Sequence, residues 1–478
     1  MKLFAENILL SDGWAKDVTL TIQKGIISNI ERNSVLQSNT ASMAAENIHV
    51  LENDTVHTTM IAAGPVIPGM VNCHSHAFQR AFAGFSEQGS EGKSSFWTWR
   101  SIMYKFLTQL TNEDAKVIAK QLYIEMLKSG YTRVAEFHYL HHDIDGETYE
   151  ASDKGLAAMA KAIFDAAKES GIGLTLLPVL YQHAGFGEQK PTEGQKRFIN
   201  STQQFNELVS NCFEMSEGYS NTNVGIAPHS LRAVDKASLK SAVEHIRSLD
   251  NKAPIHIHIA EQNQEVHDCI EHYGQRPVEW LLNNMELDAQ WCLIHATHIN
   301  EEERQGIIKT AAIAGICPTT EANLGDGIFP TTDFLVENGT FAIGSDSHIS
   351  VNPVEELRWL EYAQRLITQQ RAILATKETP SVGENLWCKA ALGGAQSTHS
   401  NTGEIAIGKQ ADLLVLDGNK TRLFAKSNQH LLDSLIFASQ TNMVSDVMVN
   451  GDWVVCNKQH LDEDESETNF AELLAKLS

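Results

Sequence analysis

Eight short apolar runs, mostly separated by helix-length amphipathic segments, fill the middle of this sequence and constrain its fold more than any other feature. The runs lie at residues 67–73, 132–137, 173–180, 224–228, 255–260, 292–296, 314–318 and 341–345. Helical periodicity marks 113–128, 154–169, 235–249 and 301–312 between them. Strands that alternate with helices pair in parallel, and eight is the number that closes a (β/α)8 TIM-type barrel. The α/β alternative, an open doubly wound sheet, calls for a Gly-rich phosphate loop after the first strand, and the sequence has none there.

Both ends of the chain read differently. Residues 18–22 and 26–30 are short β-rich runs around a Lys24-Gly25 turn. Residues 33–54 are polar and irregular, as in a surface loop. After a long helical stretch at 354–376 come a β run at 411–417 and a hairpin signature at 447–455, two β-rich runs around Asn450-Gly451. The two ends are expected to pair into one small β-sandwich. That gives residues 1–64 and 399–478 to the sandwich and 65–398 to the barrel. Acidic residues 462–467 read as a solvated tail before a short amphipathic end at 470–477.

Composition narrows the function. The 478-residue chain has 37 Lys and Arg against 60 Asp and Glu, a net charge of −23. Nucleic acid is excluded as an expected partner, because phosphate binding needs a basic footprint. An anionic substrate would need a local positive pocket, since the overall field repels it. No apolar run is long enough to span a bilayer, and the first residues lack the pattern of a signal peptide, so no membrane partner and a cytoplasmic location are expected. The seven cysteines are scattered without a CxxC pair, which argues against a disulfide framework or a cysteine zinc site. Cys73, Cys292 and Cys317 read as small buried hydrophobes.

The chemistry sits where the apolar runs end. His74-Ser75-His76 closes the first run, and residues two apart on a strand share a face. An HxH pair alone is weak evidence, since many are solvated loop histidines. Support comes from later run ends. His256 and His258 alternate with isoleucines, and His258, nearer the end, is the better ligand candidate; His256 reads as a packed core histidine. His295 ends the sixth run, and Gly344-Ser345-Asp346 ends the eighth. Active sites of such barrels lie at these C-terminal strand ends. Imidazoles and a carboxylate gathered there suit zinc or another divalent transition metal. Glu261, three residues after His258, is placed to handle protons without binding metal, although a glutamate opening a helix is also favoured by the helix dipole alone.

These motifs resemble the amidohydrolase superfamily. Pro68-Gly69-Met70-Val71-Asn72-Cys73-His74-Ser75-His76 resembles its first-strand motif, and residues 403–417 resemble its C-terminal signature. No lysine ends the fourth strand, where two-metal members carry a bridging carboxylated lysine. The pattern His74, His76, His258, Glu261, His295 and Asp346 is similar to the one-metal deaminase branch. Within it the likeness narrows to the formimidoylglutamate deiminases of histidine degradation. It rests on His76-Ala77-Phe78-Gln79-Arg80-Ala81, Phe96-Trp97-Thr98-Trp99-Arg100, Ala227-Pro228-His229-Ser230-Leu231-Arg232-Ala233-Val234 and Gly344-Ser345-Asp346-Ser347-His348.

The resemblance implies one divalent metal ion, zinc before others, held by His74, His76, His258 and Asp346. It makes Glu261, His295 and Asp346 catalytic. Glu261 shuttles a proton to the leaving nitrogen, His295 hydrogen-bonds the attacking oxygen, and Asp346 takes a proton from water. It assigns the substrate to Gln79, Arg100, Tyr139, His229 and Arg232. A formimino group on glutamate carries two carboxylates, and arginine offers a planar bidentate fit to each. The nearer rival is a one-zinc deaminase of a purine, pterin or triazine ring. The distant rival is a non-catalytic assembly protein on the same fold, which would be expected to have lost ligands. A homodimer is the expected assembly.

Overall fold

The computed structural model describes residues 1–34, 59–85, 87, 103–150, 155–419 and 427–477. Two nine-stranded sheets organise them. One is the barrel. Its strands in chain order are Met70–Ser75, Tyr131–His138, Gly173–Leu180, the broken pair Thr222–Val224 and Ala227–Pro228, Ile255–Ile259, Trp291–His295, Ile313–Ile316 and Thr340–Ile343. Neighbouring strands are parallel throughout, the eighth pairs with the first, and an Ile226–Ile255 bridge joins the fourth to the fifth, so the ring closes. Nearly every barrel residue is buried, because helices cover the outside and side chains fill the inside.

The fourth strand is cut in two where the chain crowds its neighbour. A Cβ on Gly225 would fall 2.3 Å from the Pro254 carbonyl oxygen, so only glycine passes there. The predicted helices appear with small boundary changes, as Asn112–Ser129, Ala158–Ser170, Lys236–Leu249 and Glu301–Thr310. Asp235, expected inside its helix, caps it instead, accepting from the backbone N–H groups of Ala237 and Ser238.

The second sheet draws on both ends of the chain. Lys2–Leu10, Gly13–Gln23 and Ile26–Glu31 form one side, and Leu413–Leu416, Val444–Val449, Asp452–Cys456 and Gln459–His460 the other. Val66–Pro68 lies between them, pairing with both Lys2–Leu10 and Leu413–Leu416. Leu3, Leu20, Ile22, Leu413, Val415 and Met448 share one apolar cluster, so the two halves enclose a common core. Both expected turns are present: Lys24-Gly25 and Asn450-Gly451 have positive φ at both positions, the geometry of a type I′ hairpin.

Three readings of the sequence change. The run at 67–73 is not one strand: Ile67 and Pro68 belong to the terminal sheet, and the barrel starts at Met70. The break is Gly69, whose N–H donates to the Asp412 carbonyl across the junction. The helical stretch from 354 ends early, as Pro353–Thr368, at left-handed Gln369, and a second helix, Val382–Ser397, follows. The acidic 462–467 segment is not a free tail. It opens the helix Glu463–Leu477, and Asp462 and Glu463 pair with Lys120 and Lys128 of Asn112–Ser129.

Helix Val382–Ser397 lies close against the eighth barrel strand, which carries Asp346 just beyond its end. A Cβ on Gly393 would come 1.8 Å from the Phe341 carbonyl oxygen. Gly393→Ala is therefore expected to lower folding stability by about 1–3 kcal/mol or more, the usual range for overpacking. Thermal unfolding would read this as a clear drop in Tm.

Candidate metal centre and active site

The barrel's C-terminal rim gathers the predicted cluster. His74 and His76 lie at the end of the first strand, His258 on the fifth, His295 at the end of the sixth and Asp346 just past the eighth. The backbone leaves its ladder at these points. Ala260, His295, Ala296 and Asp346 all adopt left-handed φ of 46–68° without being glycine. Such residues cost of order 1 kcal/mol or more each and persist where the surroundings hold them. Here the turns aim side chains at the barrel axis.

The donor atoms converge. His74 Nε2 lies 3.0 Å from His258 Nε2. Asp346 Oδ1 lies 3.4 Å from His74 Nε2 and 3.3 Å from His76 Nε2. In the two overlapping triads His74–His76–His258 and His74–His295–Asp346, the donors of each lie within 4.8 Å of one another. The outer ring nitrogens set the tautomers. His76 Nδ1 donates to the Phe137 carbonyl at 2.9 Å and His258 Nδ1 to the His229 carbonyl at 3.2 Å. Both Nε2 atoms therefore present lone pairs inward, the arrangement that metal-binding histidines adopt.

Electrostatics agrees with a cation in this position. Burial, then the neighbouring His76, pushes His74 down to about 3, and burial and the surrounding imidazoles push His258 well down. Neutral imidazole is the form that binds metal. Burial works against the Asp346 charge, but hydrogen bonding to His74 and the nearby histidines outweigh it and hold its carboxyl below the usual range. Ring nitrogens gathered 3.0 Å apart around a carboxylate in a buried space suit a shared positive partner. Three nitrogens and one carboxylate make a donor set that suits zinc.

Beside this cluster sit the proton-handling groups. His295 Nε2 is 3.8 Å from both Glu261 Oε1 and Asp346 Oδ2. Its Nδ1 donates to Glu321 Oε1 at 3.3 Å. Burial disfavours its charge, but Glu261, Glu321 and Asp346 together lift it to about 10, so it is held as a cation. Burial raises Glu261 above its ordinary value, against the pull of His295. That shift favours the protonated form of the Glu261 carboxyl. Glu321 was not singled out in the sequence. The only signal is its place one helical turn after Cys317, whose N–H it also accepts.

A cavity opens onto these groups, enclosing about 540 Å³ that is partly open to solvent. Four of the five expected substrate residues, Gln79, Tyr139, His229 and Arg232, line it. Arg100 lies outside the described residues. Gln79 Nε2 donates to the Tyr139 hydroxyl at 2.9 Å, while its Oε1 is buried without a partner among the described residues. Arg232 makes no hydrogen bond or ion pair with the described residues, yet its charge reaches Glu261 and Glu265. Tyr181, Thr320 and Ser347 also line the cavity and were not expected, since single hydroxyls carry no spacing signal. His256 is the core histidine expected, donating from Nε2 to the Ser397 carbonyl at 2.7 Å.

The description of the amidohydrolase family matches residues 66–454. The chain belongs to the amidohydrolase family. It is 45% identical to the formimidoylglutamate deiminase of Pseudomonas aeruginosa over 99% of both chains. Among solved structures, it resembles an amidohydrolase from Brucella melitensis, with a TM-score of 0.89, 42% identity, and coverage of 100% of this chain and 99% of that one. It shares its fold with a zinc-bound adenosine deaminase from Xanthomonas campestris, with a TM-score of 0.79 at 19% identity, covering 100% of this chain and 98% of that one. Among the described residues, no helix of this amidohydrolase is long and apolar enough to cross a membrane.

About one equivalent of divalent metal per chain is expected in purified protein, lost on prolonged chelation because the ligands compete with protons and chelator for it. Elemental analysis before and after dialysis reads both values. Asp346→Asn should lower the metal content or abolish turnover, and metal-free protein of full activity would contradict the site.

Proposed function

We propose that this amidohydrolase hydrolyses the formimino C=N bond of N-formimino-L-glutamate, giving N-formyl-L-glutamate and ammonia, a step of histidine degradation. The observation that carries this reading is the full-length similarity to the Pseudomonas aeruginosa formimidoylglutamate deiminase. The cavity supports it independently. An acidic substrate entering a chain of net charge −23 needs a placed cation, and Arg232, which makes no ion pair with the described residues, supplies a guanidinium on the wall of the same cavity. A flat ring substrate would give that charge no counterpart.

His74, His76, His258 and Asp346 would hold one divalent ion, with zinc the first choice from three nitrogens and a carboxylate. When bound, such an ion lowers the pKa of a water toward about 7 and acts as a Lewis acid. The chain's own residues do the rest. Arg232 and Arg100 each hold a carboxylate, and Gln79, Tyr139 and His229 wall the cavity around the formimino end. Asp346, held ionised by His74, is in the form that accepts a proton from the water. Oxygen then adds to the formimino carbon. The His295 cation donates a hydrogen bond to that oxygen as charge develops on it. Glu261, raised by burial, shuttles both protons of the water to the nitrogen, the one taken up by Asp346 and the one left on the added oxygen, and the C–N bond breaks to release ammonia as the formyl C=O forms. A cytoplasmic location and a homodimer belong to the same proposal; exposed Trp359, Tyr362, Leu366 and Ile367 on helix Pro353–Thr368 support self-association.

Two experiments test the mechanism and the substrate separately. Glu261→Gln keeps size and hydrogen bonding but cannot shuttle a proton. Bound metal should stay near the wild-type level while kcat falls at least about 100-fold. Loss of metal in that variant would make Glu261 a ligand or a support instead.

The substrate reading predicts that ammonia release is fastest with formimino-glutamate and poor with formimino-aspartate, guanine and adenosine. One methylene fewer prevents both carboxylates and the formimino carbon from being placed together. Arg232→Met and Arg100→Met should each cost about ten- to several-hundred-fold in kcat/KM, since hydrogen bonds to charged groups contribute about 1.5–3 kcal/mol. Loss of kcat along with affinity would reflect misplacement of the reacting carbon. Near-wild-type kinetics in both variants would favour a ring deaminase.

A further inference from the structure

Behind the ligands runs a chain of buried polar side chains that touches neither cavity nor solvent. Asn72, Ser75, Glu136, Ser345 and His348 are each at most 1% exposed, and none lines the active-site cavity. Their hydrogen bonds join the ends of three barrel strands. Asn72 Nδ2 donates to Ser345 Oγ at 2.6 Å, and His348 Nδ1 lies 3.0 Å from the same oxygen. His348 Nε2 accepts from the His76 N–H at 3.2 Å and lies 3.3 Å from Ser75 Oγ. Ser75 Oγ donates to Glu136 Oε2 at 2.6 Å.

What this chain holds is the backbone of the proposed ligands. Asn72 Oδ1 accepts from the N–H groups of His74 and Ser345, at 3.3 and 3.1 Å. Glu136 Oε1 accepts from the Ala77 N–H at 2.6 Å. Past the eighth strand the sheet ladder is failing, because Asp346 and His348 have φ of 46° and 60° and cannot continue a strand. Amides that lose a ladder partner must find another, since an unpaired buried N–H costs about 1–3 kcal/mol. Side chains of this chain are the partners.

The polarity has one consistent assignment around His348. Its Nε2 must be an acceptor, because a backbone N–H points at it. Its remaining proton then lies on Nδ1 and goes to Ser345 Oγ. The ring is thereby fixed in tautomer and orientation, with one edge on the segment that carries His76 and the other on the segment that carries Asp346. We propose that His348 is a positioning residue for the metal centre, clasping the first and eighth strand ends so that His74, His76 and Asp346 face one point. This rests on the metal-site reading above, and it adds a residue that touches neither metal nor substrate.

The test measures metal affinity in folded, metal-free protein, by zinc competition with a chromogenic chelator at fixed pH. His348→Ala should weaken zinc binding about 10–100-fold, the usual effect of removing a partner that orients ligands. Ser345→Ala removes only the hydroxyl that joins Asn72 to His348, with little risk to folding, and should shift affinity the same way by a smaller factor. His348→Gln, which keeps an acceptor and a donor at similar reach, should recover much of the loss. At saturating zinc, the alanine variants should show lower kcat with KM within about twofold, because the substrate contacts are untouched. A purely structural residue would lower Tm and leave the zinc affinity of the folded fraction alone. Zinc affinity within threefold of wild type in both alanine variants overturns the proposal while leaving the metal site standing. Failure of the unaltered protein to bind zinc or another divalent ion overturns both.

Discussion

Everything at the active rim follows from one demand: imidazoles and carboxylates that repel or dehydrate one another must be held together in a buried space. His74 Nε2 and His258 Nε2 lie 3.0 Å apart, and the Asp346 carboxyl is held in its charged form with almost no exposure. Burying such groups without partners costs several kcal/mol, so the fold has to supply what water would have supplied. It does so in layers. Backbone carbonyls of Phe137 and His229 take the outer imidazole protons. Glu321 takes that of His295. A ring of side chains takes the backbone amides. The site is built as much from these acceptors as from the groups that would meet a metal.

The same demand explains why the rim spends conformational strain. A strand that continued past His295 or Ser345 would alternate its side chains in and out of the barrel. Left-handed turns at Ala260, His295, Ala296 and Asp346 break that alternation. They bring Glu261, His295 and Asp346 to one centre from three separate strands. The carboxylates of Glu261, Glu321 and Asp346 favour the charged form of His295, and Arg232 makes no hydrogen bond or ion pair with the described residues. In a chain with 23 more acidic than basic side chains, two basic groups at one cavity fit the proposal that an anion and a developing negative charge are accepted there.

Sequence pattern disclosed the barrel, the terminal sheet and the rim because each has a local signal. Period-two burial, helical spacing and the Asn450-Gly451 turn are all written in neighbouring residues. The likeness of a few short motifs supplied the roles. What stayed hidden depends on contacts between distant residues. Ile67 and Pro68 look like the start of a barrel strand, and only pairing with Leu414 and Leu413 sends them to the other sheet. Helix Val382–Ser397 contains Gly393 and Gly394, poor helix formers that are present because the helix presses on the barrel. The acidic segment at 462–467 reads as a tail until Lys120 and Lys128 are seen opposite its first residues. Glu321 and His348 were hidden for the same reason, since each matters through one imidazole or one amide far away in the chain.

The junction at Gly69 ties these parts into one mechanism of support. One residue separates Pro68, paired in the terminal sheet, from Met70, the first barrel residue. The Gly69 N–H is held by Asp412 and the Pro68 carbonyl by Trp387 of the helix that lies on the eighth strand. A Cβ at Gly69 would fall 2.4 Å from Thr132 on the second strand, so the first strand can enter the barrel only along this line. Five residues further on stands His74. The terminal sheet, remote from any chemistry, therefore fixes the height at which the first pair of imidazoles reaches the rim. The Val382–Ser397 helix does the same for the eighth strand and Asp346. The two strand ends that the His348 chain clasps from above are thus anchored from below, at Pro68 and at Gly393. A displacement at either anchor would be felt first as a misfit between His74 and Asp346.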